Sequence, residues 1–410
     1  MESFERMMHN WMQSAATSYD SCIRDTLNWM LERGSLDGGL LNTKVNALTG
    51  QPYDHQSGLR GPDYTYGWIQ GRGLEALATF AEYYSVIDPP LSERLSDAAM
   101  ALYKILARLQ ERDGHAYFLY DKTMLPIRQG TNGIESQGPA GSIFTYSDAF
   151  VAKGLVAASC QFDSARSEEH IAYLQDVVDA IEDGRFQMDE TRELCHENAR
   201  GEPDDFGSRM ILLGAAGVLH RCKRSTDTEF ADRFISDVLE RYFDPVSGLL
   251  LNVPGKDTCN VGHAIEFCGF AFEHAYYQPD APYIAKLVSI LTRSLEAGLQ
   301  GPGIALSLSA TSGKTVSPYY PWWPMPEAIR ACSLGIQLTG NTVLPELWKQ
   351  ADTAFFNNYW QASQRFGYQS RTIDGPVDFV PATPDLDPGY HTGLSLLAAI
   401  RAMNEISASK

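Results

Sequence analysis

Residues 146–185 read YSDAFVAKGLVAASCQFDSARSEEHIAYLQDVVDAIEDGR. The stretch divides at Asp163–Arg166 into two unlike halves. The first, 146–162, is rich in Ala, Gly and aromatic residues and holds few charges. Its run Ala149-Phe150-Val151 suits a helix surrounded on all sides. The second, 167–185, opens on Arg166-Ser167-Glu168-Glu169 and carries many charges among apolar residues at helical spacing, the pattern of an amphipathic helix with one face in water. One helix buried all round beside one half exposed is a hairpin with an inside and an outside.

The same alternation runs outward in both directions. Apolar residues recur at helical spacing almost throughout, and sustained period-2 alternation is rare. Helices are predicted at 15–33, 66–86, 91–112, 146–162, 167–185, 207–223, 227–243, 261–277, 281–299, 324–339, 343–360 and 389–407. Pro89-Pro90 separates the second from the third, which Ser92 is placed to cap, and Gly301-Pro302-Gly303 breaks the chain after the ninth. The charge-poor helices start near 66, 146, 207, 261, 324 and 389, so successive starts lie 80, 61, 54, 63 and 65 residues apart. A recurring two-helix unit of this length describes an array of hairpins. Six charge-poor helices ringed by charged ones make an all-α (α/α)6 barrel of about twelve helices. A solenoid competes, but no fixed short repeat is present. The long irregular segments 34–65, 113–145 and 361–388 are of the kind that pack over a site. No Pro/Ser-rich linker interrupts the chain, so residues 1–410 are expected to form one domain.

Composition narrows the function classes. The 410 residues are 44% hydrophobic and 20% charged, ordinary for a globular protein. A net charge of -18 argues against nucleic acid or anionic lipid as partner, since both need a basic surface. No apolar run is long enough to span a bilayer, and Met1–Gln13 has no basic region followed by an apolar core. Seven scattered cysteines without a CxxC pair read as reduced thiols. A soluble cytoplasmic protein, with a homodimer expected only from the frequency of two-fold assemblies, follows.

Polar and aromatic residues gather where the charge-poor helices begin: Tyr66, Trp68 and Arg72; Tyr146 and Asp148; His263 and Glu266; Trp322, Trp323 and Glu327; Tyr390 and His391. In a barrel whose inner helices run the same way these starts meet at one mouth. His263 and Glu266, three apart, share a helix face, where a carboxylate can orient an imidazole and raise its pKa for use as a general base. A helix cap with a packed core histidine fits the fragment too. A metal would need a third ligand that the spacing does not supply. Tyr319-Tyr-Pro-Trp-Trp-Pro-Met-Pro-Glu327 sets four aromatics in a proline-stiffened entry, suited to the C–H faces of a sugar or to a rigid core-filling turn.

Other patterns fail on inspection. Ser312-Gly-Lys-Thr315 lacks the upstream glycine of a phosphate loop, because position 308 is Leu. Cys195-His-Glu197 has no metal-spacing partner, and neither GxSxG nor HExxH occurs.

Taken in order, these fragments resemble the N-acylglucosamine 2-epimerase superfamily, which includes cellobiose 2-epimerases and mannose isomerases. The resemblance runs from Gln70-Gly-Arg72 to Gly389-Tyr-His391. Trp322-Trp-Pro-Met-Pro-Glu327 is similar to the family's Trp-Trp-Pro-x-x-Glu, Gly262-His-Ala-Ile-Glu266 to its Gly-His-x-x-Glu, and Tyr146–Phe150 to its Tyr-x-x-Ala-Phe. It implies the same barrel, a small-molecule sugar substrate, no redox cofactor and no metal. It also implies His263 and His391 as the two proton-transfer groups, with Glu266 and Arg72 beside them. Arg72 would stabilise an enediolate, while Tyr66, Tyr146, Asp148, Trp322, Trp323 and Glu327 would contact substrate. Two departures stand out. The family's Met-His-Leu-x-Glu on the third inner helix is here Met210-Ile-Leu-Leu-Gly214, and Leu394 replaces an arginine three residues after the last histidine. A less polar or larger substrate is therefore expected. Two other readings stay open. One is a glycoside hydrolase pairing Asp148 with Glu266 or Glu327, and the other is a sugar-binding relative without turnover.

Overall fold

The computed structural model describes residues 2–130, 133–380 and 382–408. Twelve long helices account for most of it. We label them with the one short helix in chain order: α1 Glu2–Glu32, α2 Gly67–Ile87, α3 Pro89–Asp113, α4 Tyr146–Phe162, α5 Ser167–Glu182, α6 His196–Arg200, α7 Gly207–Arg221, α8 Glu229–Arg241, α9 Val261–Ala275, α10 Ile284–Gly298, α11 Pro324–Thr339, α12 Leu344–Asn358 and α13 Ser395–Ala408.

Consecutive inner helices pack side by side, α2 on α4, then α7, α9, α11 and α13. The π turn Tyr390–Leu394 that opens α13 packs back on α2 and closes the ring. Outer helices cover the seams: α3 on α2 and α4, α5 on α4, α8 on α7, α10 on α9, α12 on α11, and α1 on α13. Burial separates the two kinds. Thirteen of the fifteen residues of α7 are buried, against five of the thirteen in α8. Inner helices cannot approach one another with large residues at every contact. A Cβ on Gly71 would sit 2.6 Å from the backbone carbon of Phe150, and one on Gly154 would sit 2.6 Å from the carbonyl oxygen of Gly71. That crowding explains the glycine content of α2 and α4.

Local chemistry sets the boundaries, with some corrections. Asp88, not Ser92, caps α3: its carboxylate accepts from Leu91 N–H at 3.2 Å, and Pro89-Pro90 fill the first turn, where no N–H partner is needed. The Ser92 hydroxyl donates instead to the Ala81 carbonyl at 2.6 Å. Helix α1 begins at Glu2, well before the expected residue 15, since neither Gly nor Pro interrupts the chain before Gly34. The segments expected as irregular carry small sheets. The largest pairs 65–66, 119–120, 126–130 and 133–136 in antiparallel order, laying the α3–α4 connection over the start of α2. Among the described residues no helix is long and apolar enough to cross a membrane.

Candidate active site

The first turns of the inner helices surround a cavity of about 290 Å³, also lined by Val380, Ala382, Thr383, Asp385 and Asp387. Each wall helix brings a distinct set. Trp68 and Arg72 come from α2, Tyr146 and Phe150 from α4, Met210 and Ile211 from α7, His263 and Glu266 from α9, and His391 from the turn before α13; Trp322 and Trp323 precede α11.

His391 is the most firmly placed. Asp387 accepts the backbone N–H groups of Tyr390, His391 and Thr392 at 3.0, 3.2 and 2.9 Å, which holds the π turn in shape. The ring Nδ1 lies 3.0 Å from Glu327 Oε1, which also accepts the Ser395 hydroxyl at 2.9 Å. With Nδ1–H donated to a carboxylate, Nε2 is the nitrogen left for a ligand. Burial pushes the Glu327 carboxyl up, but Arg330 at 3.3 Å and the bond from His391 overcome it and hold the group below the usual carboxylate range.

His263 stands one helix away. Asn260 caps α9 by accepting the His263 N–H at 3.2 Å, and the imidazole Nδ1 is buried without a hydrogen-bond partner. Burial, then the neighbouring His391, depress its pKa against the pull of Asp205, favouring the neutral ring. The Trp323 ring lies against both imidazoles, 5.5 Å from His263 and 5.6 Å from His391 between centroids.

The expected partnership of Glu266 with His263 does not form. Glu266 shares the face but reaches toward α11 and α13, where its Oε1 lies 3.9 Å from His391 Nδ1. Burial first, then the charge of Glu327, push its pKa up to about 7. Arg72 is half-buried, with its guanidinium 4.1 Å over Phe150 and 5.4 Å from the Trp68 and Tyr390 rings, and its buried Nε has no hydrogen-bond partner. Burial lowers its pKa, but an arginine starting above 12 keeps its charge.

Two expected substrate contacts lie elsewhere. Asp148 is a structural carboxylate: it forms the capping box of α4 with Thr145 and accepts from Ala116 N–H at 2.9 Å and the Tyr173 hydroxyl at 2.6 Å. A carboxylate at that position of a helix start is drawn to the free backbone N–H groups. Tyr66 precedes α2, packs beside Ile69, Leu119 and Ile127, and has the Lys44 ammonium over its ring at 5.0 Å. Neither lines the cavity. Glu327 does not line it either, and acts on it through His391. The third donor that helical spacing does not supply also comes from α11. Ligand atoms of Glu266, Glu327 and His391 all lie within 4.8 Å of one another, the one such set among the described residues.

Other contributors were invisible in the sequence. Glu190, in the loop after α5, accepts Trp68 Nε1–H at 2.6 Å and the Ser147 hydroxyl at 2.5 Å, with its pKa pushed up to about 8 by burial. Lys153, fully buried below Phe150 on α4, pairs with Glu75 at 3.3 Å and donates to the Tyr390 hydroxyl at 2.5 Å. Asp385, on the cavity wall, is tied to Lys44 at 3.3 Å. These groups sit in loops or on faces whose partners are remote in sequence.

No protein-family model and no curated protein matches the chain. Its fold, however, matches solved structures over nearly the full length. A D-mannose isomerase aligns with a TM-score of 0.72 at 12% identity, covering 94% of this chain and 97% of that one. The cellobiose 2-epimerase of Bacillus thermoamylovorans aligns at 0.70 and 16% identity, covering 98% and 100%. The GH76 alpha-mannanase of Bacteroides thetaiotaomicron aligns at 0.53 and 11%, covering 96% and 97%. At such identities the likeness establishes the (α/α)6-barrel fold of these sugar epimerases and isomerases.

Proposed function

We propose that the protein is a sugar 2-epimerase or aldose–ketose isomerase that moves a proton at C2 through an enediolate. The observation that supports this best is the placing of two imidazoles, His263 and His391, against one indole, with Arg72 on the wall of the same cavity. An open-chain aldose held between them exposes the C2 hydrogen to one ring. That histidine takes the proton, the C–H electron pair forms the C1–C2 double bond, and the carbonyl electrons move to O1. Arg72 supplies the positive charge the enediolate needs, in a water-poor site where it acts most strongly. The other histidine returns a proton. Delivery to the opposite face of C2 yields the epimer. Delivery to C1, with the O2 proton passing to O1, yields the ketose. Neutral His263 is fitted to accept, and Glu327 orients His391. The likeness in fold to a mannose isomerase and a cellobiose 2-epimerase agrees with this reading.

The glycosidase alternative loses Asp148, which is committed to its helix cap, and Glu327 is spent on His391, Ser395 and Arg330. Proton NMR in heavy water with a panel of aldoses, ketoses and β-linked disaccharides separates the readings. Deuterium at C2 that disappears in His263→Ala or His391→Ala supports the enolising enzyme. Release of a reducing sugar without exchange supports the hydrolase, and binding with neither supports a non-catalytic relative. Activity that persists in a chelator would set aside a metal at Glu266, Glu327 and His391.

A further inference from the structure

Polar side chains reach the cavity from α2, α4, α9 and the segments before α11 and α13, and none reaches it from α7. Four of its side-chain atoms are buried without a hydrogen-bond partner, Arg72 Nε, His263 Nδ1, Glu266 Oε1 and Trp322 Nε1, and they come from α2, α9 and the segment before α11. Each is a place for a substrate oxygen. Helix α7 brings Met210 and Ile211 and no polar side chain, and Leu306 and Val380 extend the apolar surface. Gly214, one turn deeper on α7, restores nothing, since Phe270 and the ammonium of Lys153 fill the space where its side chain would stand.

A sugar hydroxyl buried against such a wall loses water and gains no partner, which is unfavourable. The volume of about 290 Å³, at the small end of the roughly 300–1,000 Å³ range of ligand sites, suits a monosaccharide. Of the hexose oxygens removable without touching the C1–C2 chemistry or closure of the pyranose ring, the one on C6 lies farthest from C1 along the carbon chain. We infer that the substrate is a 6-deoxy aldose whose terminal methyl group packs against Met210 and Ile211. The inference rests on the enolising reading of the site and deepens it by naming the substrate class. Ile211 is then a specificity-determining residue, apolar because the group it meets is apolar.

The test compares sugars that differ by one hydroxyl: D-glucose with 6-deoxy-D-glucose, and D-mannose with 6-deoxy-D-mannose. Two readouts are taken, deuterium exchange at C2 and binding followed by the fluorescence of the cavity tryptophans. An apolar surface discriminates against an added hydroxyl by up to about a hundredfold. The 6-deoxy member of at least one pair is therefore expected to have a kcat/KM roughly tenfold to a hundredfold above its parent, and tighter binding. In Ile211→Thr, which offers a hydroxyl to the wall, the ratio should fall toward one through a lower KM for the parent. Parents exchanged and bound as well as their 6-deoxy forms would overturn the inference while leaving the enolising reading intact. An unchanged ratio in a folded Ile211→Thr protein would overturn the role of the α7 wall. If no sugar exchanges, the proposed function fails, and the binding comparison still decides which sugar the cavity prefers.

Discussion

His391 and Glu327 are 64 residues apart in the chain and 3.0 Å apart in the barrel, Nδ1 to Oε1, both buried. Adjacent inner elements, α11 and the turn that opens α13, bring an imidazole and its orienting carboxylate together. The arrangement has the logic of the carboxylate–imidazole pair in hydrolytic triads, where the acid fixes the tautomer and steadies the imidazolium. Glu327→Gln can keep a hydrogen bond but not the charge, and an amide can present its N–H to Nδ1 and impose the wrong tautomer. We expect kcat to fall by roughly two to four orders of magnitude, with a smaller change in KM. Steady-state rates beside a melting curve check this, and a folded variant with normal kcat would remove Glu327 from the mechanism.

Glu266 ties stability to pH. Its folded pKa of about 7 lies above the ordinary glutamate value of about 4.3, so the folded protein holds a proton that the unfolded chain has released. Stability from this group is full at low pH and is lost as pH rises from about 4.3 to 7, on the order of 3 kcal/mol in total. Glu327, held low, acts below this window, and Glu190, raised to about 8, acts in the same sense as Glu266. Melting temperatures of the wild type and Glu266→Gln should therefore diverge in favour of the variant between pH 5 and 8. Parallel curves would show that Glu266 does not titrate there.

Asp148→Asn separates structure from chemistry. The side chain accepts from Thr145 N–H at 2.8 Å, Ala116 N–H at 2.9 Å and the Tyr173 hydroxyl at 2.6 Å. An amide accepts at one oxygen only, and the loss should cost about 2–4 kcal/mol of stability. The folded fraction should keep its kcat and KM, measured well below the melting point. A selective loss of kcat would return Asp148 to the candidate acids.

Gly71→Ala tests the close packing of α2 on α4. The added methyl would meet backbone atoms of Phe150 and Val151 at 2.6–2.8 Å, which no side-chain rotation relieves. Overpacking of this kind costs about 1–3 kcal/mol or more. Because Arg72 stacks on Phe150 at 4.1 Å across the same contact, turnover should fall with stability. Unaltered activity and melting would mean that the two helices can separate freely.

Much of the site was legible because barrel topology converts order along the chain into position around a ring. His263, His391, Arg72, Trp322 and Trp323 were found from motif and helix start together, and all five line the cavity. Asp148 and Tyr66 stand at equally good helix starts and yet are taken up by a cap and by loop packing. A helix start has its own appetite for carboxylates, so an acid there is ambiguous until its neighbours are seen. Spacing on a face was misleading for Glu266 in a similar way. Three residues from His263 put it on the right side of α9, but its length carried it to His391. Glu190 and Asp387 gave no signal, because a loop acid looks the same whether it meets water or a tryptophan N–H.

The helices, their sorting into inner and outer sets, and the end of the barrel at which polar and aromatic residues gather are legible in the chain alone. Those properties follow from periodicity, from charge content and from Gly and Pro breakers, all of which act within one or two turns of the chain. Which acid meets which histidine, and which acids cap helices or pair within the fold, emerge only in the folded barrel. Each of these depends on distances between side chains tens to hundreds of residues apart, and a difference of an ångström there separates a hydrogen bond from a neighbour.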